Sequence, residues 1–204
     1  MKQTVAAACR YEGERVKGSR FIVDIVSVAS ESDAHDALSA ITDEFADASH
    51  HCWAWRIATP SIDRASDDGE PSGSAGRPIL ARLAGRNLVD TAAIVTRYFG
   101  GTKLGVGGLV RAYGGAVDEA LDTMRLFPWI EMCEVRFGHQ YSHTDAIERL
   151  VGETNGIILD RFFGESVTLH LRLPIASARG FAAALADLTA GMIVLTNEDN
   201  GLPN

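Results

Sequence analysis

The chain has 204 residues, of which 46% are apolar and 23% charged, and its net charge is −8. This composition predicts a soluble globular protein of one large or two small domains, and the excess of acids disfavours a general duplex-DNA binder, which presents a basic face. No apolar run approaches the ~20 residues that cross a bilayer. The N-terminus turns charged after a short apolar stretch, so we expect no secretory signal, no membrane association and a cytoplasmic location.

A β-branched, apolar run with little polar interruption predicts a strand over residues 20–28, with a hairpin partner in residues 10–17. Residues 30–48 repeat apolar side chains at three- and four-residue steps, which predicts an amphipathic helix with Ser30 or Asp33 as its N-cap. The elements predicted next are a strand over 51–58, a long polar loop over 60–76, a short helix over 78–84, a strand over 90–98 and a helix over 109–124.

The charge balance shifts near Phe127-Pro128, which ends the last of these helices. Residues 1–128 hold 14 basic and 17 acidic side chains, whereas residues 129–204 hold 5 and 10. We therefore expect two domains, 1–128 and 129–204, each an α+β two-layer sandwich. The second has the ferredoxin-like order βαββαβ, with strands over 130–137, 156–163, 166–173 and 192–196 and helices over 143–154 and 175–189.

Glycine is concentrated in residues 66–115, which hold eleven of the 20 glycines. Here a strand, a loop over residues 100–108 and a helix follow one another. This order directs the backbone N–H groups of the loop and the positive end of the helix toward one point, which suits an anion. The loop is neither a P-loop, because Leu104 follows Lys103, nor a dinucleotide fingerprint, because Val110 replaces the third glycine. The alternative is that the glycines only allow tight turns and close helix–strand packing.

Basic residues flank this loop, and no acid occurs between Val95 and Val117. A local basic patch on an acidic protein suits phosphate groups. The predicted phosphate- or nucleic-acid-binding residues are Arg97, Gly100, Gly101, Lys103, Gly105, Gly107, Gly108 and Arg111.

Asp67, Asp68 and Glu70 place three carboxylates within four positions. Carboxylate oxygens beside a phosphate are typical of a Mg²⁺ site. The alternative, which we favour, is a structured polar loop built on an Asp-Gly turn, with Arg64 and Arg77 offsetting the charge.

Other candidate chemistry in the sequence is weaker. His50 and His51 are adjacent on a predicted strand and point to opposite faces, so they do not readily bind one ion. His139 and His143 have no third ligand nearby, and Ser72 and Ser74 have no paired base. Three cysteines without CxxC spacing argue against a disulfide framework and a zinc ribbon. We predict no metal, no cofactor and no catalytic residue.

Three sequence blocks together resemble the IMPACT family, in its bacterial YigZ-like branch. The first is HHCWAW at residues 50–55, the second SDDGEP at residues 66–71 continuing to Pro78, and the third RYFGG at residues 97–101 continuing to Tyr113. The resemblance covers essentially the whole chain. The residues of interest in the first two blocks are His51, Asp67, Asp68, Glu70 and Arg77.

The resemblance implies an N-terminal domain folded like domain IV of elongation factor G and a ferredoxin-like C-terminal domain. It favours a non-enzymatic, translation-associated regulator that contacts RNA or the ribosome through the glycine-rich basic loop, with a protein partner also possible. One alternative is a Mg²⁺-dependent enzyme, or a binder, acting on a phosphorylated metabolite or nucleotide at the same loop. Another is a protein-interaction module. The sequence does not determine the oligomeric state.

Overall fold

The computed structural model describes residues 1–195. The chain divides into two compact units, Met1–Trp129 and a second that begins at Ile130. Both are mixed α and β with antiparallel sheets, which confirms the predicted fold class. Among the described residues, no helix is long and apolar enough to cross a membrane.

The first unit, all of whose residues are described, contains seven strands and three helices. Its strands are β1 (Gln3–Val5), β2 (Cys9–Glu12), β3 (Arg20–Ser27), β4 (His50–Ile57), β5 (Ile62–Ser66), β6 (Thr91–Tyr98) and β7 (Leu126–Pro128). Its helices are α1 (Glu31–Glu44), α2 (Gly76–Gly85) and α3 (Val106–Asp122).

Five of these strands form an antiparallel sheet in the order β2-β3-β6-β4-β5, and β1 pairs separately with β7. The predicted strands β3, β4 and β6 are confirmed. The hairpin partner predicted over residues 10–17 is confirmed in its first part, since β2 pairs with β3 but ends at Glu12. The long loop predicted over residues 60–76 is wrong in its first part, where β5 forms the sheet edge. Its sequence, IDRAS, is polar and mostly exposed, so it carries little of the apolar alternation that marks a strand.

The two faces of this sheet are covered differently. Helices α2 and α3 pack on one face around a core that includes Val23, Ala54 and Val95. Helix α1 packs on the other, where Ala34 meets Trp55, so a third layer is added to the predicted two. Helix α1 begins with a reciprocal capping box, in which the Ser30 hydroxyl accepts from the Asp33 N–H and the Asp33 carboxylate accepts from the Ser30 N–H.

The second unit has a three-stranded antiparallel sheet in the order β8-β10-β9. Its elements are β8 (Met132–His139), α4 (Thr144–Glu153), β9 (Ile157–Phe163), β10 (Val167–Pro174) and α5 (Ile175–Leu188). Its core includes Phe137, Ile147, Leu169 and Phe181. The strand predicted over residues 192–196 is not formed over 192–195, and Thr196 lies outside the described residues.

Candidate functional site

The site lies where strand β6 leads into helix α3. We call the connecting segment, residues 99–105, the glycine loop. It is shorter than predicted, because Gly107 and Gly108 belong to the first turn of α3. Gly101 and Gly105 have φ values of +86° and +71°, a region that residues with a Cβ rarely adopt. These two glycines therefore allow the backbone conformation that leads into the helix.

Gly100 serves close backbone packing instead. A Cβ at this position would lie 1.9 Å from the carbonyl carbon of Gly18 and 2.1 Å from the backbone nitrogen of Ser19. The Gly100 N–H donates to the Ser19 hydroxyl at 3.2 Å. The turn before β3 and the glycine loop thus lie in direct backbone contact, which only glycine permits here.

Helix α3 begins without a side-chain cap. Gly105 is its N-cap, and its first turn contains no acid. The Leu109 N–H donates to the Gly105 carbonyl oxygen at 2.9 Å, which leaves the N–H groups of Val106, Gly107 and Gly108 without an intrahelical acceptor. These N–H groups and the helix dipole make this end positive and suited to an anion.

Exposed cations lie beside this helix end. Lys103 and Arg111 are exposed, and within residues 1–195 neither has a hydrogen bond or an ion pair. Lys17, in the turn that contacts the glycine loop, lines a cavity of about 260 Å³ with Arg111 and Gly108. Sequence reasoning missed Lys17 because it precedes Arg111 by 94 residues and only the fold brings the two side chains to one cavity. The cations and the helix end together form what we call the basic patch: Lys17, Lys103, Arg111 and the first turn of α3.

Arg97, the third predicted phosphate-binding cation, is placed differently. It is only 4% exposed, and its guanidinium donates to Glu70 Oε1 and, at 3.1 Å, to the Ser19 hydroxyl. Glu70 Oε1 also accepts from the Tyr113 hydroxyl at 2.8 Å. Arg97 therefore neutralises a buried carboxylate and adds no free positive charge to the basic patch.

A pocket of about 440 Å³ opens between these residues. Glu70 and Arg97 lie among its polar lining residues, with His50 and Lys103. The apolar part of the lining comes from both ends of the glycine loop and from α3, namely Phe99, Leu104, Val106 and Leu109, together with Pro71.

Cys52 and Tyr113 support this pocket from the core. The Cys52 Sγ lies 3.3 Å from the Tyr113 hydroxyl. Burial raises the pKa of the Cys52 thiol to about 12, and burial together with the Cys52 contact raises the pKa of the Tyr113 hydroxyl above its ordinary value. Both groups are neutral at pH 7, so Cys52 is a structural thiol with little nucleophilic character.

We call residues 67–75 the Asp67 loop, after the carboxylate that holds it together. The Asp67 carboxylate accepts hydrogen bonds from three backbone N–H groups, those of Gly73 at 2.7 Å, Ala75 at 2.9 Å and Gly76 at 2.8 Å. Burial raises the pKa of Asp67, but these three hydrogen bonds outweigh it and hold the pKa below its ordinary value. The carboxylate therefore fixes the loop to the start of α2.

The three clustered carboxylates have separate partners. Asp68 Oδ2 accepts from the His51 N–H at 2.5 Å, whereas Asp67 bonds to the start of α2 and Glu70 to Arg97 and Tyr113. Across residues 1–195, no group of three or more His, Cys, Asp or Glu side chains is placed to bind a metal ion. The geometry fits the structured polar loop that the sequence favoured over a Mg²⁺ site.

Comparison with known proteins identifies the family. Residues 17–121 match the model of the Impact N-terminal domain, and residues 140–192 match a domain of unknown function, DUF1949. The chain is 37% identical to the IMPACT family member YigZ of Escherichia coli over 89% of this chain and 91% of that protein. It belongs to the IMPACT family.

Two further relatives agree with this membership. The IMPACT family member YvyE of Bacillus subtilis is 36% identical over 86% of this chain and 82% of its own length. A crystal structure of a hypothetical protein superposes with a TM-score of 0.71 at 35% identity, covering 97% of this chain and 98% of that one. The Impact N-terminal match, residues 17–121, contains the basic patch, the pocket and the Asp67 loop.

Two residues of the IMPACT-like blocks lie away from the pocket lining. His51 points to the opposite sheet face from His50, and its Nε2 is buried without a hydrogen-bond partner among the described residues. Arg77 is exposed in the first turn of α2, and its positive charge helps to lower the pKa of Asp67. His50 was not among the predicted site residues, although it lines the pocket.

Proposed function

We propose that this chain is a non-enzymatic, translation-associated regulatory protein of the cytoplasm that binds RNA phosphates, free or on the ribosome, through the basic patch. The observation that carries the proposal is the group of cations beside the uncapped start of α3, which are exposed and have no partner among the described residues. An anion there meets cationic side chains and free backbone N–H groups at once. Membership in the IMPACT family supports the translational setting through the family's resemblance to translation-factor modules.

The Mg²⁺-dependent alternative has less support. Asp67 and Asp68 accept hydrogen bonds from backbone N–H groups, and Glu70 is paired with Arg97. A cation that bound them would have to displace these partners. The neutral, buried Cys52 likewise lacks the exposure and lowered pKa of a catalytic nucleophile.

The proposal is tested by the salt dependence of binding to short single-stranded RNAs and to ribosomes. Each phosphate contact to single-stranded RNA contributes about 0.7 to the slope of log affinity against log salt concentration. Contacts from Lys17, Lys103 and Arg111 predict a slope of about −2, and charge reversal of Lys103 and Arg111 together should remove about 1.4 of it.

The matched control reverses two exposed arginines of the second unit, Arg149 and Arg179. This control changes the net charge by the same amount without touching the basic patch. If both double variants weaken binding equally, or if the wild-type protein binds neither RNA nor ribosomes at low salt, the basic patch is not an RNA site.

A further inference from the structure

The pocket beside the basic patch is lined by a buried carboxylate, that of Glu70, in which one oxygen accepts no hydrogen bond from a described residue. The Glu70 side chain is 5% exposed. Its Oε1 accepts from both Arg97 and Tyr113, whereas no described residue donates to its Oε2. A buried charged acceptor that keeps one oxygen unbonded and lines a pocket is suited to an N–H donor of a ligand.

His50 adds a second acceptor to the same pocket. Its Nδ1 lies 2.7 Å from the Asp68 carbonyl oxygen, which can only accept, so Nδ1 carries the hydrogen. In the neutral ring, Nε2 then has the free lone pair, and it lies 3.9 Å from Glu70 Oε1. Because Arg97 already neutralises Glu70, a neutral ligand edge with adjacent N–H donors fits this pair better than a cation.

The rest of the lining suits a flat ring. Phe99 is 49% exposed and lies with Leu104, Val106 and Leu109 around the pocket. A base that has left its stack gains contact area and stacking energy on an exposed aromatic ring. Lys103 lines the pocket too, so the phosphate attached to such a base would lie beside the basic patch.

We propose that the pocket takes one unstacked nucleobase, with guanine preferred. Guanine carries N1–H and the exocyclic N2 amino group side by side, matching the acceptors of Glu70 and His50. Uracil has a single N–H between two carbonyl oxygens, which the Glu70 carboxylate repels. This inference rests on the proposed RNA function and adds base selection to it: the basic patch holds phosphates and the pocket selects the base.

The test compares labelled eight-nucleotide RNAs that are all uridine except for a central guanosine, adenosine, cytidine or uridine. We expect the guanosine RNA to bind about tenfold more tightly than the all-uridine RNA, the size of one good base contact. Phe99→Ala should abolish this preference, because a base that does not stack on Phe99 does not stay in the pocket to reach Glu70 and His50, and it should leave the salt slope unchanged. Charge reversal of Lys103 and Arg111 should instead weaken all four RNAs alike.

Two controls keep the outcomes distinct. Phe163→Ala removes a phenyl ring that is 67% exposed in the second unit, and it should leave the preference intact. Glu70→Gln tests the acceptor directly, but it leaves Arg97 buried without its charge partner. If the Glu70→Gln protein does not fold for this reason, the result with Phe99→Ala decides the test.

Equal binding of all four RNAs, or a preference that survives Phe99→Ala, would overturn base selection and leave the phosphate proposal standing. If no RNA binds but guanosine monophosphate does, with affinity lost in Phe99→Ala, the pocket is a site for free nucleotides. That result overturns the RNA function and retains the base pocket.

Discussion

The Asp67 loop and the glycine loop both contain several glycines but use their polar groups in opposite ways. Their sequences are DDGEPSGSA and FGGTKLG. In the Asp67 loop, the Asp67 and Asp68 carboxylates accept backbone hydrogen bonds at 2.5–2.9 Å. In and after the glycine loop, Lys103 and Arg111 have no partner within residues 1–195, and the first turn of α3 has free N–H groups.

This difference separates the Asp67 and Asp68 carboxylates, which stabilise the fold, from the cations and N–H groups at the start of α3, which are available for recognition. Carboxylates that already accept backbone hydrogen bonds lower the free energy of the folded state and have little left to offer a ligand, unlike Glu70 Oε2 in the same loop. A loop that leaves cations and N–H groups exposed gains nothing from them until an anion binds. Substitution of Asp67 should therefore lower the stability of the fold, whereas substitution of Lys103 and Arg111 should weaken anion binding.

The largest effect is expected for Asp67→Ala. Loss of the carboxylate leaves the N–H groups of Gly73, Ala75 and Gly76 without their acceptor, which should lower the free energy of unfolding by roughly 3 kcal/mol or more. All three tryptophans, Trp53, Trp55 and Trp129, lie in the first unit, so denaturant unfolding followed by tryptophan fluorescence reports on this unit.

The matched control for that variant is Asp63→Ala. Asp63 forms a partly exposed ion pair with Arg56, which contributes about 0–1 kcal/mol. Equal destabilisation by both variants would show that the three backbone hydrogen bonds add nothing special to the Asp67 loop.

A smaller loss of stability is expected for Gly100→Ala. The added methyl group would meet the backbone of Gly18 and Ser19 at about 2 Å, and relief of this clash should cost about 1–3 kcal/mol of unfolding free energy. Gly115→Ala, in the middle of α3 with no atom within 4 Å of the added Cβ, should instead stabilise the protein by about 0.5–1 kcal/mol. A Gly100→Ala variant with the same free energy of unfolding as the wild-type protein would contradict the close packing of the glycine loop against the turn before β3.

Most of the regular elements could be predicted because their apolar patterns are strong. Helix α1 follows the helical period, and strands β3 and β6 are apolar runs that are buried over most of their length. The start of α3 was placed too late because Gly107 and Gly108 are poor helix formers, although the first turn of a helix tolerates them. Strands β1 and β7, of three residues each, are too short to show a period.

The site was predictable only where it depends on local charge. Lys103 and Arg111 stand in an acid-free stretch, and the structure places both beside the positive end of α3. Arg97 belongs to the same stretch, but its partner Glu70 lies 27 residues earlier, and the pairing arises from the fold. Contacts across strands and loops determine whether a charged side chain has a partner, and a local sequence pattern does not predict such contacts.

The smallest effect on stability is expected for charge reversal of Lys103 and Arg111. Both side chains are exposed and unpaired among the described residues, so their replacement should change the free energy of unfolding by no more than about 0.5 kcal/mol, measured by the same tryptophan fluorescence. The same double variant should lose most of the salt dependence of RNA binding. A large loss of stability would mean that these cations serve the fold as Asp67 does, and weakened RNA binding by that variant would then report damage to the fold instead of a lost contact.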